Sequence, residues 1–523
     1  MKSITPRVAI FLFGSGLAAL VYQTAWERML RLVFGASTGA SSAVLAIFLG
    51  GLGLGGAWLG KRAEAAERPL LLYGNLEIGV ALFASITPFL VDVAARIYWG
   101  LGGVSVLGST GATVVRLLLS AVVLGPAVVL MGGTLPAAAR AVEREDDLAR
   151  GQLATLYAAN TAGAVVGALL GTFVLFELFG MRLALWVAVL LNLLVAMFAR
   201  YHGGRQAPIP TPAFDAAEAQ PEPGAVGPTC WVSRAVYACA AVVGFAFLGL
   251  EIVWYRMLGS ILGGSSFTFG LILAVALAGI GLGSFLYTRR RESQPATLPL
   301  LAFTVALEAV LALVPLALGD RIGLFAAYTR QMASLGFSTL VATWFLVTTA
   351  VVLPAAVVAG YQFPVLFALL GTGRARVARQ VGLTYAFNTA GSIVGALAVG
   401  FVLMPRFGAV GVWKFVGGVL VVLALLLVIL EVLRARREGL RRVSWALATG
   451  ALAVWLLGSE GPTAITRHTP IGAGRVNLAG LDKNEVRDWS HRTRLRLLWE
   501  RDGVESSLGV AHGNGLTFLV SGK

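Results

Sequence analysis

A four-residue string, Asn160-Thr161-Ala162-Gly163, returns 228 residues on as Asn388-Thr389-Ala390-Gly391. The same shift carries Gly16, Leu20, Trp26, Arg28, Met29 and Leu30 onto Gly244, Leu248, Trp254, Arg256, Met257 and Leu258. Gly51, Gly53, Leu54 and Gly55 fall on Gly279, Gly281, Leu282 and Gly283, and Pro126 and Pro136 fall on Pro354 and Pro364. Tyr157, Gly167, Phe173, Phe179 and Gly180 meet Tyr385, Gly395, Phe401, Phe407 and Gly408. One register across half the chain is the mark of a tandem duplication, so whatever the first half folds into, the second must fold into as well.

The duplicated unit is a membrane unit. Hydrophobic residues make up 57% of the chain and charged residues 13%, with a mean hydropathy of +0.81, which no water-soluble globular domain matches. Apolar stretches long enough to cross roughly 30 Å of hydrocarbon are predicted over residues 8–33, 38–60, 69–95, 112–137, 153–178 and 181–199, and again over 235–258, 263–288, 297–319, 338–370, 382–404 and 409–433. Six spans per repeat return each copy to its starting side. The expected fold is an all-α polytopic membrane protein of two parallel, major-facilitator-like six-helix repeats, 1–202 and 234–442, related by an axis along the membrane normal.

With the N-terminus placed in the cytoplasm, 22 of the 41 Lys and Arg residues fall on inner loops, as the positive-inside rule asks. That bias, facing anionic headgroups, accounts for most of the net charge of +15 and removes the need for a nucleic-acid partner. The first apolar segment is full length and ends in Gln23, Glu27 and Arg28 in place of a small-residue cleavage site, so it is expected to remain as an anchor in what would be a bacterial inner membrane. Cys230 and Cys239 form neither a disulfide framework nor a metal-ligand spacing, and no metal or cofactor is expected.

Residues 203–233, rich in Pro, Ala and Gly, form a linker between the repeats. A basic cluster from Arg434 to Arg442 precedes a short apolar run, 443–458, expected to be a thirteenth span. The tail, 459–523, reads as polar loops to about 491, then strand patterns at Leu495 to Glu500 and Glu505 to Ala511, and a hairpin whose Asn514-Gly515 turn leads to a return strand from Leu516 to Val520. Three strands cannot bury a core alone. The tail therefore opens a larger domain, or docks on the membrane body or a partner.

Several strings carry a resemblance: Ser15 to Gln23 leading to Trp26 and Arg28, Leu76-Glu77, Met131-Gly132-Gly133-Thr134-Leu135-Pro136, Leu156 to Gly163, and Trp499 to Gly503 with Leu519 to Lys523. In these the chain resembles the membrane-fused spermidine synthase-like family. The resemblance implies a helical region that anchors or serves a polyamine aminopropyltransferase-type domain, with the tail as the start of that domain. The glycine-rich donor-binding turn and acidic amine-binding residues of such enzymes are not found in residues 1–523, so no aminopropyl transfer is expected of them. Gly50-Gly51-Leu52-Gly53-Leu54-Gly55-Gly56 lies inside an apolar span and follows no soluble strand, which makes it a helix-packing motif and not a nucleotide loop.

The candidates for chemistry are polar residues within spans, since a carboxylate in hydrocarbon is costly and suggests function. Glu77 and Glu308 occur in matching Leu-Glu contexts, and Glu251 stands where the first repeat has Gln23, a pairing suited to a proton, cation or amine. Against this stands a purely structural role in pinning helices. Asn160 and Asn388 are expected to cap the helices they introduce. Trp26 with Arg28 and Trp254 with Arg256 are expected at the interface as an aromatic belt with snorkelling arginines, or else as a paired gate. His202, His468, His491 and His512 are scattered and receive no role. Two functions remain: the membrane region of a spermidine synthase-like protein, or a stand-alone transporter or structural subunit of a larger complex.

Overall fold

The computed structural model describes residues 4–34, 38–144, 147–210, 230–290, 294–371, 376–478, 480–513 and 515–522. Most of the linker and Asn514 of the hairpin turn lie outside them. The first repeat forms α1 (Thr5–Phe34), α2 (Thr38–Glu64), α3 (Pro69–Gly100), α4 (Gly103–Gly132), a short α5 (Thr134–Val142), α6 (Gly151–Leu170) and α7 (Phe176–Gly204). The second forms α8 (Cys230–Leu262), α9 (Ser266–Thr288), α10 (Leu298–Leu318), a short α11 (Asp320–Thr329), α12 (Phe337–Leu369), α13 (Val377–Leu397) and α14 (Met404–Arg442). Then come α15 (Ser444–Leu457), α16 (Ala464–His468), α17 (Lys483–Arg496) and an antiparallel sheet in the order β1 (Leu497–Asp502), β2 (Ser507–His512), β3 (Leu516–Val520).

Ten helical stretches among the described residues are long and apolar enough to cross a membrane. Two of these, Gly151–Arg205 with 55 residues and Val377–Ala435 with 59, would each be roughly 80 to 90 Å long if straight, far more than a bilayer needs. Each is broken by a glycine at φ +68°, Gly180 and Gly408, a conformation that a β-carbon would strain. Each break follows a π-helical stretch, Gly171–Leu175 in one copy and Ala398–Leu403 in the other. The twelve expected crossings are therefore present in ten stretches, and the duplication extends to the backbone angle of its bends.

Packing follows two contact-dense units. The first comprises Met1–Phe245, Ile280–Leu300 and Gly360–Ile393, and the second Ala246–Gly279, Leu301–Ala359 and Val394–Lys523. In the first unit, helices approach until backbone meets backbone. A β-carbon on Gly16 of α1 would collide with the Asn160 carbonyl of α6, and one on Gly163 with the Phe13 carbonyl. The copies repeat this: Gly244 of α8 lies against the Asn388 carbonyl of α13, and Gly391 against the Ala241 carbonyl. Likewise Gly132 lies on the Leu52 carbonyl and Gly360 on the Ile280 carbonyl. Lipid tails are as apolar as leucine, so close van der Waals packing between small residues takes over the role that hydrophobic exclusion plays in water.

Within the same unit the two sequence repeats also touch reciprocally. Gly53 of α2 faces Thr389 of α13 at 3.2 Å from the position of its missing β-carbon, and Gly281 of α9 faces Thr161 of α6 at 3.5 Å. Gly281 is the copy of Gly53 and Thr389 the copy of Thr161. Such an exchange of equivalent positions is what a two-fold relation produces.

Trp26 is fully buried, stacked on Tyr22 at 5.5 Å, and its indole N–H donates to Thr87 Oγ1 at 2.8 Å. Trp254 is fully buried too, edge-on to Phe247. The interfacial belt expected of these tryptophans is overturned: both lie in the protein core, and Arg28 stacks over Phe176 at 4.7 Å.

The tail belongs to the second unit. Its buried Asp502 accepts the Ala409 N–H at 2.7 Å, just past the bend at Gly408, and Arg256 Nη2 donates to the Val504 carbonyl at 2.8 Å. Asp320 of α11 accepts the Thr463 N–H at 2.8 Å and Arg494 Nη2 at 2.8 Å. These partners cluster at the end of α14 opposite its basic cluster, since Ala409 and Arg434 are roughly 37 Å apart along that helix. The chain thus returns along α14 before the tail begins. It does so in the 14-residue α15, roughly 21 Å long and shorter than an ordinary span. Polar loops were expected up to about residue 491, but Lys483–Arg496 is helical, started by a capping box in which the Asp482 side chain accepts from Asn484 and Glu485 N–H groups.

Gly163→Leu or Gly391→Leu should abolish recovery of a monodisperse, detergent-purified chain. Gly418→Ala, where a β-carbon meets no atom within 4 Å, should leave recovery and the melting midpoint within about 2 °C of the parent.

Candidate functional site

Three groups of polar side chains stand out, each built differently. The first surrounds Glu77. Its side chain, 1% exposed in the first third of α3, accepts the Ser15 hydroxyl of α1 at 2.6 Å, while Asn192 of α7 donates to the Glu77 backbone carbonyl at 2.9 Å. Tyr73, one turn earlier on α3, is wholly buried on the same side. No arginine or lysine takes part in these bonds.

Glu308 of α10 is also fully buried. The positions copied from Ser15 and Asn192 hold Val243 and Leu420. At the repeat offset of 228 the copy of Glu77 itself is Val305.

Gln23 and Glu251 are both half-buried, seven residues along α1 and α8 from the glycines on which Asn160 and Asn388 rest. Seven residues are nearly two helical turns, which puts each on the same helix face as its glycine. Asn160 and Asn388 do not cap helices. They lie ten and twelve positions into α6 and α13, and Asn388 Nδ2 donates to the Ala240 carbonyl at 3.0 Å. The expectation of caps fails because α6 starts at Gly151 and α13 at Val377, slightly before the predicted spans 153–178 and 382–404, which already placed both asparagines inside their helices.

The loop before α6 carries the second group, which the sequence showed only as basic residues. Asp147 caps α6 by accepting the Gly151 and Gln152 N–H groups at 3.0 and 2.9 Å. Arg150, fully buried and with left-handed backbone at φ +51°, donates to the Phe367 carbonyl at the end of α12 at 2.8 Å and to Gln380 Oε1. Burial pulls the Arg150 guanidinium below its ordinary value, and Glu143, Asp147 and Glu64 act against that pull. Glu64, paired with Arg140 at 3.4 Å, accepts the N–H groups of Arg376 and Ala378 at 3.0 and 2.9 Å, at the start of α13. A cation thus meets the negative end of α12 and an anion the positive end of α13, each favoured by the helix dipole. Tyr287 of α9 adds a bond to the Ala149 carbonyl at 2.8 Å. The arrangement is a lock, in which first-repeat charges hold second-repeat helix ends.

The third group fixes the tail. Arg467 pairs with Asp502 at 2.6 Å and with Glu500 at 3.2 Å, and His468 Nε2 lies 2.8 Å from Glu500 Oε2. The hydrogen bond with His468, aided by Arg467, holds the Glu500 carboxyl below its ordinary value. Among the described residues no cluster of His, Cys, Asp and Glu could hold a metal ion.

No protein-family model matches the chain, and no curated protein matches it. Solved structures do. The human organic anion transporter MFSD10 (TETRAN) shares 15% identity over 82% of this chain and 100% of its own, with a TM-score of 0.49. The major facilitator superfamily proton:xylose symporter XylE shares 12% over 80% of this chain and 94% of its own, at 0.47. The E. coli fucose:proton symporter FucP shares 13% over 80% and 98%, at 0.45. The likeness is one of helical membrane fold, and no cargo is carried over from it.

Because the Glu500 carboxyl is held low in the folded chain, its contribution is complete above the ordinary glutamate value of 4.5 and is lost as pH falls below it. Hydrogen exchange at β1 and β2 should therefore quicken on acidification below that value. It should quicken less in Glu500→Gln, whose exchange should already be faster at neutral pH.

Proposed function

We propose that this chain is a transporter that moves a cationic solute, an organic amine by the resemblance above, using Glu77 as its proton- or cation-binding carboxyl. The observation that carries this is the Glu77 cage: a buried carboxyl reached by a hydroxyl, without a basic partner in those bonds. An intramembrane carboxyl among neutral groups is suited to take up a proton or cation and release it. Within the first unit, half-buried Gln23 and the asparagines Asn160 and Asn388 would line the path, and the Arg150 and Glu64 contacts would act as its lock.

In vesicles reconstituted with the parent chain, a proton gradient should drive uptake of labelled putrescine. Glu77→Gln, which keeps shape and removes charge, should lower the initial rate by about tenfold or more while leaving the melting midpoint near that of the parent. Glu251→Gln, which restores the residue type of Gln23, should change the pH profile of uptake. Uptake unchanged in Glu77→Gln would overturn the assignment, and no uptake by the parent would remove the amine cargo.

A second reading rests on the tail. Trp499, Leu508, Val510, Phe518 and Val520 share one face of the three-stranded sheet, turned away from the face that carries Asp502 and Ser507, and Phe518 is 76% exposed. An apolar face beside the open edge of β3 fits a further β-rich layer, as the start of a synthase-like domain would require, or a membrane-complex partner. Reading the gene beyond Lys523 tests it. A glycine-rich donor-binding turn there would support the synthase-like fusion, and an immediate stop codon would overturn it.

A further inference from the structure

On the flank of the first unit, α2, α3 and α4 enclose an apolar groove of about 490 Å³. It is lined by Leu54 and Trp58 of α2, Phe83 of α3, and Gly125, Pro126 and Val129 of α4. Its hollow is real space: a β-carbon on Gly125 would meet no atom within 4 Å. At the end of α2 the Arg62 guanidinium lies 4.5 Å over the Trp58 ring, beside Lys61, and both cations are exposed. The nearby carboxylate, Glu64, is turned instead to Arg140 and the start of α13.

The second repeat shows that this hollow is not inherited packing. The copies of Pro126, Lys61 and Arg62 are Pro354, Arg289 and Arg290, so the bend and the charge persist. Gly125 and Trp58, which make the hollow and its lip, are replaced by Leu353 and Leu286.

We propose that this groove binds an acyl chain of one anionic phospholipid, whose phosphate pairs with Arg62 and Lys61. Leu54, Trp58 and Arg62 follow at four-residue intervals and so lie on one stripe of α2, running roughly 12 Å from apolar wall to charge. That is the order in which a phospholipid presents its chain and headgroup. The tryptophan stands between them, at the depth where its apolar ring and N–H are both accommodated. Paired cations at the mouth select an anionic headgroup over a zwitterionic one.

The test uses the full chain, purified, stripped of lipid and titrated with phosphatidylglycerol or phosphatidylcholine under native mass spectrometry. The parent should bind phosphatidylglycerol at concentrations about fivefold or more below phosphatidylcholine, and Gly125→Leu, the residue of the second repeat, should weaken phosphatidylglycerol binding by about the same factor. Joint Lys61→Gln and Arg62→Gln substitution should remove the preference and leave phosphatidylcholine binding unchanged. Equal binding of the two lipids by the parent, or parental binding in a folded Gly125→Leu, would overturn the proposal. Should Gly125→Leu fail to fold, the double charge variant decides, and a preference surviving in it overturns the site. Transport plays no part in this readout, so its outcome is separate from that of the proposed function.

Discussion

Backbone against backbone, at a glycine, is the contact on which this molecule rests. In a bilayer there is no water to drive apolar faces together, so helices hold only where they come close enough for dispersion to act over a long seam. Gly16 and Gly163 bring α1 and α6 to that distance, and Gly244 and Gly391 do the same for α8 and α13. Everything polar in the spans is positioned by these seams. Ser15 reaches Glu77 from the residue before Gly16, and Asn388 reaches the Ala240 carbonyl from the residue opposite Gly244.

The lock around Arg150 shows a second principle, the matching of charge to helix ends. Arg150 is among the largest fully buried side chains of the protein, and its cost in burial is offset by a carbonyl at a helix terminus, an amide oxygen and surrounding carboxylates. Removing any one partner would leave charge stranded in a dry place. A contact of that kind is strong when complete and poor when partial.

The membrane architecture was legible because glycine periodicity and apolar length are local properties that duplication preserved. The bends at Gly180 and Gly408 and the seams of α1 with α6 follow the register read from residues 16 and 163. Asn160 misled although the predicted span from residue 153 already enclosed it, because asparagine is a common cap and its residue type was read ahead of its position. Trp26 and Trp254 misled because nearness to the end of a span says nothing of which side faces lipid. The helix at Lys483–Arg496 was missed although Asp482 and Glu485 stand three apart, a signal that strand patterns further along obscured. The cage of Glu77 needed three dimensions, since Ser15, Glu77 and Asn192 come from three helices with no common motif.

Gly180 and Gly408 share the same positive φ, yet their surroundings differ. Around Gly180 a side chain would find open space, whereas at Gly408 the carboxylate of Asp502 stands 3.1 Å from the β-carbon position and binds the next amide. The duplicated joint has one bolted copy and one without that bolt. Two halves with a shared blueprint are therefore not mechanical twins: the tail gives the second copy a fixed elbow, and any flexing of the pair starts from an uneven distribution of stiffness that the duplication itself did not contain.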